Sequence, residues 1–322
     1  MKAMRNEKYG LPNVLQLKEV DRPVPKNNEV LVKVNASSIN SWDWDYLTGK
    51  PLVYRLFFGL FKPRHKILGA DIAGQVISVG GEAKLYKPGD MVYGDLSAYH
   101  WGGFAEFVCA DENLLSAKPA NLTDEEAAAV PQAGVLALQG LRYNGDIKEG
   151  QKVLINGAGG GVGTFALQLA KLWGAEVTAV DCLEKLETLR NLGADHVIDY
   201  QKEDFTKTEK KYDLVLDVIA KKPLSRYENT LNHNGAFVVV GGSVTLLLKL
   251  AIKSIFSKSF SKKMGILMHK PNQQDLKVLR ELLESEKLKP IVDQCFPLAK
   301  TRDAFTYYGK NLVKGKIVIA VR

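Results

Sequence analysis

Cysteine is scarce in this chain of 322 residues: Cys109, Cys182 and Cys295 stand far apart. An odd, scattered set builds no disulfide framework, and no Cys-x-x-Cys pair is present to hold a structural zinc. That scarcity points to a reducing, cytoplasmic setting. Long apolar runs are missing as well. The widest uncharged stretches carry Gly, Asn or His in their middles, as in residues 229–248, so no membrane-spanning helix is expected. Residues Met1–Gly10 hold Lys2, Arg5, Glu7 and Lys8 and lack the apolar core of a signal peptide. Acidic residues are outnumbered: 44 Lys and Arg face 36 Asp and Glu, a net charge of +8. With 46% hydrophobic and 25% charged residues, neither a disordered nor a collagen-like chain fits. No internal repeat is present, and the length suits two domains of about 150 residues each.

What is there changes texture along the chain. Glu29–Asn35 alternates apolar and polar residues, as a half-buried strand does. Ala73–Val79, Met91–Tyr93 and Phe104–Cys109 continue the pattern, with a Pro88-Gly-Asp90 turn among them. An antiparallel, barrel-like β domain is predicted. Thr123 and Glu126 then form a capping box before an alanine-rich helix. Beyond it, strands at Val153–Ile155, Glu176–Val180, His196–Ile198, Tyr212–Asp217 and Ala236–Val240 alternate with helical stretches such as Thr164–Trp173 and Cys182–Leu192. That alternation means βαβ units and a doubly wound parallel sheet, an α/β fold. The last strand, Gly315–Val321, is placed to return to the first domain.

The most informative stretch runs from Val153 to Lys171. An apolar strand enters Gly157, Gly159, Gly160, Gly161 and Gly163, and a helix follows at once. Glycines let a backbone approach a pyrophosphate, and the helix start offers free N–H groups to the anion. In the G-x-G-x-x-G frame the positions are Ala158, Gly160 and Gly163, with Ala in the first slot and Gly161 and Val162 between the last two. Asp181 ends the next strand, where an acidic residue accepts from the ribose 2′-hydroxyl of NAD. The alternative is that Asp181 only caps the helix containing Lys185. As a ribose ligand it would repel a 2′-phosphate and lean the cofactor to NADH. Lys185, Arg190 and Tyr200 lie close enough in sequence to admit NADPH.

Several further motifs join this loop: Ala36–Asn40 with Asp43 and Gly49, Leu68–Gly74, Tyr86–Tyr93, Gly103–Phe107, Gly193–Tyr200, Val240–Gly242 and Gly315–Val318. Together they resemble the medium-chain dehydrogenase/reductase family, in its zinc-independent quinone oxidoreductase branch. Within that branch the chain looks like bacterial NAD(P)-dependent alcohol dehydrogenase-like and reticulon-4-interacting-protein-like members. The resemblance implies a GroES-like β-barrel domain from residues 1–120 and 290–322, and a Rossmann domain from 121–289. It implies NAD(P)H as cofactor, a homodimer, and a cleft where the nicotinamide meets the substrate. It carries cofactor contacts onto Asn40, Val218, Gly241 and Gly242, with Ser243 following.

Zinc-dependent relatives place a cysteine, a Gly-His-Glu run and a later cysteine or acid around the metal. Here Asn40 stands in the first slot and Gly69-Ala-Asp71 in the second, and no cysteine lies near Pro131–Gly134. A metal-free enzyme is therefore expected. Without a Lewis acid, oxidation of a simple alcohol loses its usual alkoxide stabiliser. A quinone or an α,β-unsaturated carbonyl is already electrophilic and needs mainly positioning.

The candidate catalytic residues are few. Asn40 is expected to touch the cofactor or a substrate carbonyl; the alternative is a turn residue. Asp43 and Tyr46 follow it, though the family's tyrosine aligns with Asp45, one position from Tyr46. His100 is the histidine best placed to donate a proton, against the plainer reading of an exposed loop residue. A threonine frequent in relatives is replaced by Val135 or Leu136.

The segment 244–263 carries five lysines and no acid, with Lys249, Lys253 and Lys258 near helical spacing. Peripheral contact with an anionic membrane is one reading. A lid or dimer contact is the other. The apolar insert Pro51–Phe61 could pair with it as the wall of an apolar entrance. No acid lies between Glu228 and Asp275, so much of the +8 is local, and a nucleic-acid partner is not expected. The expected function is hydride transfer from NAD(P)H to a lipophilic quinone or enone. The alternatives are an alcohol or aldehyde oxidoreductase, or a low-turnover nucleotide-binding protein associated with membrane or RNA.

Overall fold

The computed structural model describes residues 1–142, 147–242, 245–247, 250 and 263–321. The first part of the chain holds β1 (Lys2–Asn6), β2 (Leu15–Glu19), β3 (Glu29–Ile39), α1 (Ser41–Thr48), α2 (Arg55–Phe58), β4 (Asp71–Val79), β5 (Met91–Asp95), β6 (Phe107–Asp111), β7 (Leu115–Ala117), α3 (Asp124–Ala128) and α4 (Pro131–Leu141). The middle part holds β8 (Lys152–Asn156), α5 (Gly161–Leu172), β9 (Glu176–Asp181), α6 (Leu183–Asn191), β10 (His196–Asp199), β11 (Tyr212–Asp217), α7 (Leu224–Thr230), β12 (Leu231–Val239) and β13 (Lys263–Ile266). The tail adds α8 (Gln273–Glu284), β14 (Val292–Pro297), α9 (Thr301–Tyr308) and β15 (Lys316–Ala320).

These elements form two compact units, Met1–Val135 with Lys270–Arg322, and Leu136–His269. In the first unit the strands run in the order β14-β15-β3-β4-β5-β7, with β6 also on β3. β15 lies antiparallel to β3, Ile317 opposite Ile39 and Ala320 opposite Ala36, so both ends of the chain build one sheet. The alternation in β3 puts Val30, Val32 and Val34 into a core with Ile72, Val76 and Val92. Burying each such side chain contributes about 1.5–3 kcal/mol. The Thr123–Glu126 capping box forms: Thr123 N donates to Glu126 Oε2 at 2.9 Å, and Glu126 N to Thr123 Oγ1 at 3.1 Å.

Residues 121–135 and 270–289, expected in the Rossmann domain, pack with the first unit. The reason is local bonding. Gln132 N donates to Asp71 Oδ1, Tyr93 Oη donates to the Leu276 carbonyl, and Gln273 Nε2 reaches Tyr86 Oη and the Leu115 carbonyl.

The second unit is a six-stranded sheet in the order β10-β9-β8-β11-β12-β13. Every pairing is parallel. This is the dinucleotide-binding strand order, read outward from a central first strand. β13 was not expected. Ser243 and most of segment 244–263 lie outside the described residues.

Candidate active site

In the second unit, β8 ends at Asn156 and α5 begins at Gly161, so four residues turn the chain from strand to helix. The turn is pinned from beneath: Gly157 N and Ala158 N both donate to the Val180 carbonyl, at 3.0 and 3.1 Å. Gly163 allows the helix to pack on the turn. A Cβ there would press into the Gly157 carbonyl oxygen and lie 2.5 Å from the Ala158 Cα. Beside Gly160 the space is open, since a Cβ would meet only the Gly157 oxygen at 3.6 Å. Gly160, Gly161 and Val162 are partly exposed, while Ala158 and Gly163 are buried. The first-turn N–H groups of α5 have no intrahelical acceptor, which is what an anion needs.

Asp181, expected to face a ribose, is buried and bonds within the protein. Its Oδ2 accepts from Gly159 N at 2.8 Å and its Oδ1 from Cys182 N at 2.9 Å. Lys185, also buried, brings its ammonium to 3.4 Å from Oδ1. The two residues that sequence reasoning set against each other in cofactor choice are therefore an ion pair. Tyr200 lies nearby in the chain, its N–H on the Asp181 carbonyl and its side chain exposed.

At the ends of β11 and β12 another buried acid organises the backbone. Asp217 Oδ1 accepts from Asn156 Nδ2, Ile219 N and Ala220 N, at 2.9, 2.9 and 2.6 Å. Burial pushes its carboxyl up, and these donors pull it back. Val218 N donates to the Asn156 carbonyl, and Val240 N to that of Asp217. Asp217 thus ties together the backbone on either side of Val218 and, through Val240, the strand end that precedes Gly241 and Gly242.

The first unit holds a buried polar cluster. Asn40, Asp43, Ser38, Asp71 and Lys316 are each at most 7% exposed. Asp71 Oδ2 accepts from Ser38 Oγ at 2.8 Å and Asn40 Nδ2 at 2.9 Å, and Lys316 Nζ lies 3.3 Å from it. Lys316 also donates to Asn40 Oδ1. The Asn40 amide is therefore oriented at both ends. Burial pushes the Asp71 carboxyl up, and the Lys316 ammonium draws it down. Neither Asp71 nor Lys316 was singled out as a site residue, because nothing local joins positions 245 apart.

Asp43 is fully buried and holds backbone. Its Oδ2 accepts from Asn40 N and its Oδ1 from Gly69 N, both at 2.8 Å. Burial raises its pKa to about 7. Tyr46 is also buried: its hydroxyl accepts from His65 N at 2.7 Å and donates to the Phe58 carbonyl at 3.2 Å. In this structure both residues are tied to neighbouring loops. His100 is exposed, its ring centroid 3.9 Å from that of Tyr99. Val135 and Leu136 are buried in α4.

A catalytic zinc needs about three protein ligands. Among the described residues no three His, Cys, Asp or Glu side chains gather to hold one. At the Gly69–Asp71 turn the available carboxylate, Asp71, already carries an ammonium and three N–H or O–H donors. These residues do not fit a zinc ion. The glycine turn does fit a dinucleotide: it presents an open helix start at the carboxyl ends of parallel strands.

Fold and loop together define a dinucleotide-binding oxidoreductase with one Rossmann unit and one GroES-like unit. Residues 26–120 match the alcohol dehydrogenase GroES-like domain, and residues 192–319 match a family described as zinc-binding dehydrogenase. The chloroplast envelope quinone oxidoreductase homolog of Arabidopsis thaliana is 34% identical, over 99% of this chain and 98% of its own length. The NADPH-dependent alkenal/one oxidoreductase of the same plant is 34% identical, over 99% and 79%. The solved quinone oxidoreductase of Coxiella burnetii superposes with a TM-score of 0.90 at 30% identity, over 100% of this chain and 99% of that one. The chain belongs to the medium-chain dehydrogenase/reductase family, in its quinone oxidoreductase-like branch.

Proposed function

We propose that this chain transfers hydride from NAD(P)H to a quinone or an α,β-unsaturated carbonyl, with no metal ion. The observation that carries this reading is the cation already in place: the Lys316 ammonium lies on Asp71 at the turn where metal-dependent relatives bind zinc. An acceptor without a Lewis acid must be electrophilic on its own. The names of the quinone and alkenal/one oxidoreductase relatives support the same substrate classes.

The residues of the glycine loop, with Val218, Gly241 and Gly242, would hold the dinucleotide, and the N–H groups of Gly161, Val162 and Gly163 would meet its pyrophosphate. When bound, the nicotinamide supplies a hydride, two electrons and one hydrogen nucleus. Asn40, held by Asp71 and Lys316, orients the reacting groups, and Asp43 fixes the backbone that carries it. Reduction of an enone then needs one proton at the α-carbon. His100 is the candidate donor, and its exposure also admits water to that role. The reading includes a homodimer in the cytoplasm; the scarcity of cysteine in the chain supports a reducing compartment.

The test is isotopic. With NADPH or NADH carrying deuterium on the transferred position, an enone product should gain one deuterium at the β-carbon and one solvent proton at the α-carbon. Product without that label would contradict the proposal. Cofactor choice rests on Asp181, which leans it to NADH, with Lys185 beside it keeping NADPH admissible. Asp181→Ala frees the lysine and should move the kcat/KM ratio toward NADPH by about tenfold. An unmoved ratio would remove Asp181 from cofactor selection.

A further inference from the structure

The first unit carries an apolar crown that neither the fold nor the proposed chemistry uses. In the stretch from Pro51 to Phe61, Leu52, Leu56, Phe57, Leu60 and Phe61 are exposed, Phe57 at 70% and Phe61 at 89%. Scattered exposed leucines are ordinary on protein surfaces, whereas a cluster with two bare phenylalanines marks a contact site.

The crown is held from beneath. Tyr46, in the core, bonds the Phe58 carbonyl and the His65 N–H, so one hydroxyl clamps two points of the segment. The Phe58 ring stacks on Tyr46 with centroids 4.3 Å apart. Tyr9 Oη donates to the Gly59 carbonyl at 2.5 Å. Arg55 lies over the Tyr9 ring at 4.6 Å and donates to the Gly49 carbonyl at 3.1 Å. Fixed on that side, the segment turns its remaining apolar side chains outward.

The charges along this stretch of chain are of one sign. From Tyr46 to Ala70 the chain has no acidic residue and five basic ones, Lys50, Arg55, Lys62, Arg64 and Lys66. Lys66 pairs with Glu7, while Lys50, Lys62 and Arg64 are exposed. A two-fold contact between copies would set these cations against their own counterparts, which disfavours self-pairing. Bare aromatic and aliphatic groups rimmed by cations suit a bilayer whose headgroups are anionic.

We propose that residues 50–66 are a membrane-surface contact: Leu56, Phe57, Leu60 and Phe61 enter the headgroup–acyl boundary, and Lys50, Lys62 and Arg64 meet anionic lipid. The contact does not depend on the redox reading. It would hold the enzyme against the phase in which lipophilic quinones and enals dissolve.

The test is sedimentation of the full chain with two kinds of vesicle, pure phosphatidylcholine and phosphatidylcholine with about a third phosphatidylglycerol. The anionic vesicles should bind at least about tenfold more strongly, and raising salt from about 0.1 to 0.5 M should weaken that binding. The double variant Phe57→Ser with Phe61→Ser should lower the partition coefficient about tenfold with the circular dichroism spectrum unchanged. A Phe57→Trp variant should shift its emission to the blue on anionic vesicles. Lysines 249–263 contribute equally to wild type and variants, so the difference belongs to the crown. No vesicle binding, or equal binding by wild type and the double variant, would overturn the proposal. So would dissociation of a wild-type oligomer by the same serines in lipid-free solution, which would assign the crown to contact between copies.

Discussion

Lys316 and Asp71 form an ion pair sealed from water, with Asn40 bonded to both. Removing one partner of such a pair strands the other. Lys316→Met should therefore cost about 3–5 kcal/mol in urea unfolding. Asp71→Asn added to Lys316→Met should recover a large part of that loss; a double variant as weak as the sum of the singles would show that the two do not act as a pair. Asp45 gives the opposite case. It is mostly buried beside Tyr54 and Tyr308, and burial raises its pKa to about 7. A carboxyl with a folded pKa above the unfolded 3.8 holds its proton more tightly in the native state. Its stabilising protonated form is complete near pH 4 and is lost as pH rises to about 7. Asp45→Asn should thus gain about 1 kcal/mol or more at pH 8 and flatten the fall in melting temperature between pH 5 and 7. Asp43 shifts the same way and leaves part of the slope. An unchanged slope would mean that Asp45 is hydrated. At this scale Asn40 and Asp43 were legible as separate candidates, and the bond between them comes from the structure. The Asp71–Lys316 contact was not legible, since it exists only because β15 returns to lie beside β3.

The turn between β8 and α5 was the clearest element in the sequence, because its function demands glycine in a fixed frame. Gly163→Val tests that demand. Its side chain would collide with the Gly157 carbonyl and the Ala158 Cα, pushing α5 off the turn. The variant should stay folded by circular dichroism and bind NADPH at least about a hundredfold more weakly in fluorescence titration. Binding within a fewfold of wild type would mean that the cofactor does not rest on this turn. Other elements were legible only in part. β3 was read as Glu29–Asn35 and runs to Ile39, since Ala36–Ile39 finds partners in both β4 and β15. β13 has four residues, Lys-Met-Gly-Ile, too short for a period, and its strand state comes from its parallel neighbour β12. Helix α8 has a strong apolar stripe, Leu276, Leu279 and Leu283, which announces a buried face without saying against what. Tyr93 and Gln273 supply the answer by joining it to the first unit.

For the whole molecule, the parallel sheet follows from the alternation of strands and helices in the chain, and the family assignment agrees with it. The +8 charge resolves into local features. One is the acid-free run from Tyr46 to Ala70 under the apolar crown; another is the lysine-rich run after Glu228. No helix among the described residues is long and apolar enough to cross a membrane. Steady-state kinetics after exhaustive chelation show whether the reaction runs without a metal. The kcat/KM for a quinone or enone with NAD(P)H should stay within about twofold of the untreated value. Oxidation of a simple primary alcohol with NAD(P)⁺ should run at least about a hundredfold slower. Loss of quinone and enone turnover on chelation, restored by zinc, would contradict the account.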